Sequence, residues 1–195
     1  MNKTFKCIHF CLMVLVMLFS IVSAVLVFRG LFNLTVVFAA EEKTVVWFYF
    51  FFNVFIALGV ASAMVYFFHG SAKFAAIHYK VFMLLIMGAC FCEILMSARD
   101  LRLTRDLAIW GDLSFTAVKI IILLVLGVGL DQGKNDTHIL FIIYLLADFA
   151  FIGINIVSDM SVFNILGILS RLFTDAILFF TIRNKYLDKA TRGTR

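Results

Sequence analysis

Four ionisable residues lie near the middle of three long apolar segments, where charged side chains are rare. They are Lys119, Asp148, Arg171 and Asp175. A charged side chain at the centre of a bilayer costs about 2.5 kcal/mol or more, so such groups face the protein interior and find partners. Two cations and two anions can neutralise one another. The four residues therefore predict a packed polar core in the last part of the chain.

The pairing of these charges decides which chemistry they could support. Asp175 follows Arg171 by four residues, which places both on one helical face, so we predict that they pair within the helix. Lys119 and Asp148 would then pair across two helices. Full charge matching favours a structural role that fixes helix register. An ion or proton path is the alternative, because intramembrane ionisable groups often mark relays and such a path leaves one acid free.

A second polar set lies towards the ends of the third and fourth apolar segments. Glu93 and Asp112 are predicted to lie level with one another there. Arg29 and the arginines between residues 99 and 105 are the cations expected to neutralise them.

The sequence contains no recognisable catalytic or metal-binding motif. Asp148 and Asp175 resemble the two acids of intramembrane aspartyl proteases, yet neither the Tyr-Asp nor the Gly-x-Gly-Asp signature surrounds them. A cationic neighbour for each acid would also lower its pKa and prevent a shared proton. The four cysteines and four histidines lack metal-ligand spacing, and the histidines suit interfacial positions. We predict that the chain is not an enzyme and holds no metal or cofactor.

Composition places the chain in a membrane. It is 64% hydrophobic, with mean hydropathy +1.06, and a soluble domain of this size could not bury that much apolar surface. The predicted fold is therefore an all-α, polytopic membrane helix bundle in one domain, residues 1–195, with about six spans and four as the alternative. The six apolar runs long enough to cross a bilayer are Phe5–Phe28, Val45–Phe68, Ala75–Ser97, Leu107–Leu130, Ile139–Val157 and Val162–Ile182.

Three segments need separate interpretation. The first apolar run resembles a signal peptide, but its length favours a retained membrane helix, with cleavage as the alternative. Residues 33–44 are predicted to be an interfacial or re-entrant piece, because one helix from Phe5 to Ala40 would be too long for a single crossing. In the second apolar run, Gly59 and Ala63 form a small-x-x-x-small pattern that favours close helix packing.

The distribution of Lys and Arg predicts that both termini are cytoplasmic. The ten inner basic residues would be Lys3, Lys6, Lys73, Lys80, Lys134, Arg183, Lys185, Lys189, Arg192 and Arg195. The five outer ones would be Arg29, Lys43, Arg99, Arg102 and Arg105. The segment 99–106, expected to be a solvated connector or an amphipathic turn that binds lipid headgroups, is the part that fits this topology least well.

The basic cytoplasmic end, residues 183–195, is the main soluble-facing feature of the chain. Its basic residues are Arg183, Lys185, Lys189, Arg192 and Arg195. Such a patch serves topology and contact with anionic lipid headgroups, and alternatively docking of a cytosolic protein.

In its whole-chain character the sequence resembles the small membrane subunit of the Kiwa phage-defence system. The shared features are size, a short basic start at Lys3 and Lys6, helices with short connections, a basic cytoplasmic end and no catalytic motif. The resemblance implies a homo-oligomer in the bacterial inner membrane that senses infection. It also implies a cytosolic DNA-binding protein partner, with no direct nucleic-acid binding by this chain.

Transport is the alternative function. In size and number of spans the chain is also similar to the substrate-binding membrane component of energy-coupling factor vitamin transporters. Its first span lacks their Ala-x-x-x-Ala docking motif, and the chain has no Pro to break a helix. A small proton- or ion-coupled carrier or channel that uses Asp148 stays open as well.

Overall fold

A computed structural model describes residues 3–33, 40–68, 72–104, 107–131, 137–158, 169 and 171–183, and all of these are helical. The helices are α1 (Lys3–Asn33), α2 (Ala40–Phe68), α3 (Ala72–Thr104), α4 (Leu107–Asp131), α5 (Thr137–Ser158) and α6 (171–183). The all-α prediction is confirmed. Consecutive helices from α1 to α5 pack against one another in chain order, with the largest contact between α2 and α3.

Four of the described helices are long and apolar enough to cross a membrane. The qualifying segments are Lys6–Phe28, Thr44–Phe68, Ile77–Arg102 and Ile109–Leu126, and α5 contributes a shorter apolar stretch, Ile139–Ile152. The chain is therefore a membrane protein. The sixth predicted span, Val162–Ile182, falls partly outside the described residues; its described part is Leu169 and residues 171–182 of α6.

Large apolar side chains occupy both the interior and the outer surface of the bundle. Tyr79, Phe82 and Leu123 are fully buried, whereas Leu84 and Leu146 are about two-thirds exposed, at 65% and 64%. An outer surface of this kind suits lipid rather than water, since large exposed apolar areas are rare on soluble proteins.

Gly59 allows α2 and α3 to approach closely. A Cβ atom on Gly59 would lie 3.1 Å from Cδ1 of Ile86 and 3.5 Å from Cβ of Leu85. Ala63, one turn further along α2, is buried. The small-residue pattern predicted from sequence thus supports packing within the chain, between α2 and α3.

Two predicted connections are shorter than expected because the helices on either side extend into them. For the interfacial piece at 33–44, α1 continues to Asn33 and α2 already begins at Ala40, while 34–39 lie outside the described residues. For the connector at 99–106, α3 continues to Thr104. Without Pro, nothing local stops these helices at the membrane surface. Residues 99–104 are helical rather than a loop, and the interfacial placement of 33–44 stays a prediction.

Candidate functional site

Two helix faces bring the buried charges together. On α4, Asp112 and Lys119 are seven residues apart, which is about two helical turns and returns to the same face. On α6, Arg171 and Asp175 are four residues apart and also share one face. Each face carries one anion and one cation, in opposite order along the chain. Side by side, the two faces are complementary in charge.

Lys119 and Asp175 form the most deeply buried pair. The Lys119 Nζ donates a hydrogen bond to Oδ1 of Asp175. The side chain of Lys119 is 6% exposed and that of Asp175 is 0% exposed. This ion pair connects α4 to α6.

Arg171 bridges three helices. Its Nη1 donates to Oδ1 of Asp112 on α4 at 2.9 Å, and its Nη2 donates to Oδ1 of Asp148 on α5 at 2.5 Å. The fork of a guanidinium suits two carboxylates at once. Together with Lys119–Asp175, these contacts fix α6 to both α4 and α5.

The sequence predicted the members of this network correctly but not their partners. The predicted pairs were Arg171 with Asp175 and Lys119 with Asp148, whereas the structure pairs Arg171 with Asp148 and Lys119 with Asp175. Within one helix, a cation that precedes an anion by four residues is the weaker order. The adjacent faces of α4 and α5 instead offer buried partners across helix boundaries.

The second polar set is part of the same network. Asp112 binds Arg171. The side chains of Arg29 and Arg105, two of the cations predicted for this set, lie outside the described residues. Glu93, half-buried on α3, interacts electrostatically with Arg171 and Lys119. The separation into two sets was therefore wrong, because Arg171 on α6 contacts Asp112 on α4 as well as Asp148.

Among the described side chains of this core, the acidic groups outnumber the cations. Two cations, Lys119 and Arg171, contact three carboxylates, and Glu93 is a fourth acid nearby. Oδ2 of Asp148 and Oδ2 of Asp175 are both buried without a hydrogen-bond partner. Each of the four residues of the first set has a partner of opposite charge, as expected, and Asp112 is an additional acid on Arg171.

Two further buried residues were not identified from sequence as members of the site. His9 is 1% exposed, and its ring lies 5.2 Å from Phe67 and 5.3 Å from Phe180. The ends of α2 and α6 cover it, and the interfacial position predicted for it stays a prediction. Tyr144 is buried with its hydroxyl unpaired. Its place one turn before Asp148, on the same face of α5, was the available signal.

The start of the basic end follows directly from the last helix. Arg183 is exposed at the end of α6, and Lys185, Lys189, Arg192 and Arg195 lie outside the described residues. Within the described part of the chain, no group of three or more His, Cys, Asp or Glu could hold a metal ion.

Comparison with known proteins adds no assignment to this site. No family model, curated protein or solved structure matches the chain.

Proposed function

We propose that this chain is a non-enzymatic, homo-oligomeric scaffold or sensor in the bacterial inner membrane that recruits a cytosolic protein partner. In this proposal the bundle anchors the complex among membrane lipids, and the basic end, residues 183–195, contacts the partner. Any DNA binding would belong to the partner. The whole-chain resemblance to the Kiwa membrane subunit suggests antiviral defence as the process.

One observation carries the proposal. The helix that leads into the basic end, α6, is also the helix that ion pairs connect to two neighbours, through Arg171 and Asp175. A partner bound just beyond Arg183 would thus be held by a helix that cannot easily shift in the bundle. Any force on that helix would have to separate buried charges, which is costly.

The charge of the basic end determines what kind of partner fits. Five basic residues within thirteen positions attract an acidic protein surface and steer its approach. Several copies of this end in one oligomer would convert weak contacts into firm binding through a high effective concentration.

The proposal is tested by removing positive charge from the predicted inner side of the membrane and, as a control, from the predicted outer side. The first variant replaces Arg183, Lys185, Lys189, Arg192 and Arg195 with Gln. It should insert and assemble normally, lose any stoichiometric soluble partner on purification from the source cells, and lose protection against phage. The control replaces Arg99, Arg102 and Arg105 with Gln, on the predicted outer side, and should retain both. Full protection by a chain truncated after Ile182 would refute the proposal.

A specific observation favours a second candidate, a small proton-coupled carrier or channel. One carboxyl oxygen of Asp148 and one of Asp175 have no hydrogen-bond partner, so each can accept a proton. Acids that exchange protons within membranes often serve as relays. Purified protein in liposomes would then move protons or a co-substrate at a rate that Asp148→Asn abolishes. A rate equal to that of protein-free liposomes would exclude this candidate.

A further inference from the structure

A groove of about 270 Å³ lies between α5 and α6, and Asp175 is the polar residue among its described lining side chains. The other lining residues are apolar and include Leu146 and Phe149 on α5 and Phe179 and Phe180 on α6. Leu146 and Phe149 are exposed, at 64% and 44%. Exposed side chains change rotamer quickly, so a molecule dissolved in the bilayer can enter the groove by displacing them.

Asp175 brings a free hydrogen-bond acceptor to this groove. Its Oδ1 accepts a hydrogen bond from Lys119, whereas its Oδ2 is buried without a hydrogen-bond partner. An acceptor buried without a donor is costly, and the hydrocarbon of a bilayer supplies no donor. A ligand that donates a hydrogen bond to Oδ2 would remove this cost.

The charges of the ion-paired network indicate which kind of donor fits. Lys119 and Arg171 contact three carboxylates, those of Asp112, Asp148 and Asp175. One more positive charge at Asp175 would bring these contacts to three cations and three anions. The phenyl rings in the groove also favour a cation, because the face of an aromatic ring attracts positive charge.

We propose that this groove binds a lipophilic ammonium ion, whose ammonium group donates a hydrogen bond to Oδ2 of Asp175 and whose apolar part lies among the phenyl rings. One water molecule occupies about 30 Å³ in the liquid, so the groove holds a ligand of roughly ten non-hydrogen atoms. A calcium ion does not fit, since it takes about six to eight oxygen ligands. The acyl chain of a membrane lipid would fill the groove but leave Oδ2 without a donor.

Equilibrium dialysis of the protein in nanodiscs of zwitterionic lipid tests the proposal, with 3-phenylpropylamine as the probe. This amine is an ammonium ion at neutral pH, whereas 3-phenylpropanol has the same size and a hydroxyl donor but no charge. Above the level of empty nanodiscs, one amine should bind per chain, about tenfold more tightly than the alcohol, because opposite charges attract strongly in a medium of low dielectric constant. Equal binding of the two probes would mean an acyl-chain crevice and overturn the proposal. Absence of binding above empty nanodiscs would also overturn it.

Two variants locate the site. Lys119→Met with Asp175→Leu removes the carboxylate together with its cation, so that neither charge is left unpaired, and should lose amine binding. Ala176→Phe fills the groove and should lose it as well. The matched control is Ala147→Phe, at an exposed position of α5 outside the groove, which should retain binding. Ala176→Phe leaves every charge in place, so it tests the site even if the double variant folds poorly.

Three results with these proteins would contradict the proposed site. Amine binding could survive in Ala176→Phe or in the folded double variant, or it could be lost in Ala147→Phe. Binding that appears only in nanodiscs with a single chain would mean that a second copy occupies the groove. Equilibrium binding requires neither a protein partner nor transport, so the outcome is independent of both functions proposed above.

Discussion

Removing the positive charge of Lys119 is the sharpest perturbation of the buried network. In Lys119→Met, a side chain of similar length keeps most of the packing but leaves Asp175 without its cation. Asp175 is fully buried, so no water can replace the lost partner. Breaking a buried pair by removing one member costs about 3–5 kcal/mol.

Removing both charges should restore most of the lost stability. Replacement of a buried ion pair by apolar residues of similar volume is often neutral or stabilising. The free energy of unfolding of the double variant Lys119→Met with Asp175→Leu should therefore lie within about 1 kcal/mol of that of the natural chain. Lys119→Met with Asp148→Leu is the matched control. It should not recover, because Asp148 belongs to Arg171 and Asp175 would still lack a cation.

The free energy of unfolding of the single variant and of each double variant is measured in mixed micelles, by titration with a denaturing detergent. A cost below about 1 kcal/mol for Lys119→Met would mean that the pair is not a buried contact. Recovery in the control rather than in the Lys119–Asp175 double variant would refute the pairing itself.

Three further predictions address other contacts. A Cβ on Gly111 would lie 2.4 Å from the ring of Phe151, so Gly111→Ala should lower the unfolding midpoint in the same titration, and Phe151→Leu should restore it; equal loss in the double variant would contradict this contact. His9→Phe should keep or raise the free energy of unfolding, because it removes two buried nitrogens without hydrogen-bond partners. Each unsatisfied group costs about 1–3 kcal/mol. A marked loss of stability would show that the imidazole is hydrogen-bonded. A fluorescent reporter fused after Arg195 should be active in the cytoplasm, and activity of a periplasmic reporter at that position would reverse the topology.

Much of the architecture could be predicted from sequence because composition and length decide it. Uninterrupted apolar runs can only be helices in a bilayer, where every backbone group needs an internal partner. The helix ends were less predictable: α3 continues past Ser97 to Thr104, since polar residues at a membrane surface do not end a helix by themselves.

The site was predictable in membership but not in pairing. Charged residues at the centre of apolar helices, such as Lys119 and Arg171, can be recognised from the sequence alone. Which acid each contacts depends on the relative rotation and height of three helices, and a single sequence does not contain that information. The role of Asp112 was missed for the same reason, because its distance to Arg171 follows from how α4 and α6 align.

The most direct test of the interhelical charge network is a through-space measurement between Lys119 Nζ and aspartate carboxyl carbons, by solid-state nuclear magnetic resonance of the protein in lipid. With nitrogen-labelled lysine and carbon-labelled aspartate, the buried lysine signal should show a strong dipolar coupling that Asp175→Asn abolishes and Asp148→Asn preserves. A coupling that survives Asp175→Asn but disappears in Asp148→Asn would contradict the network described above.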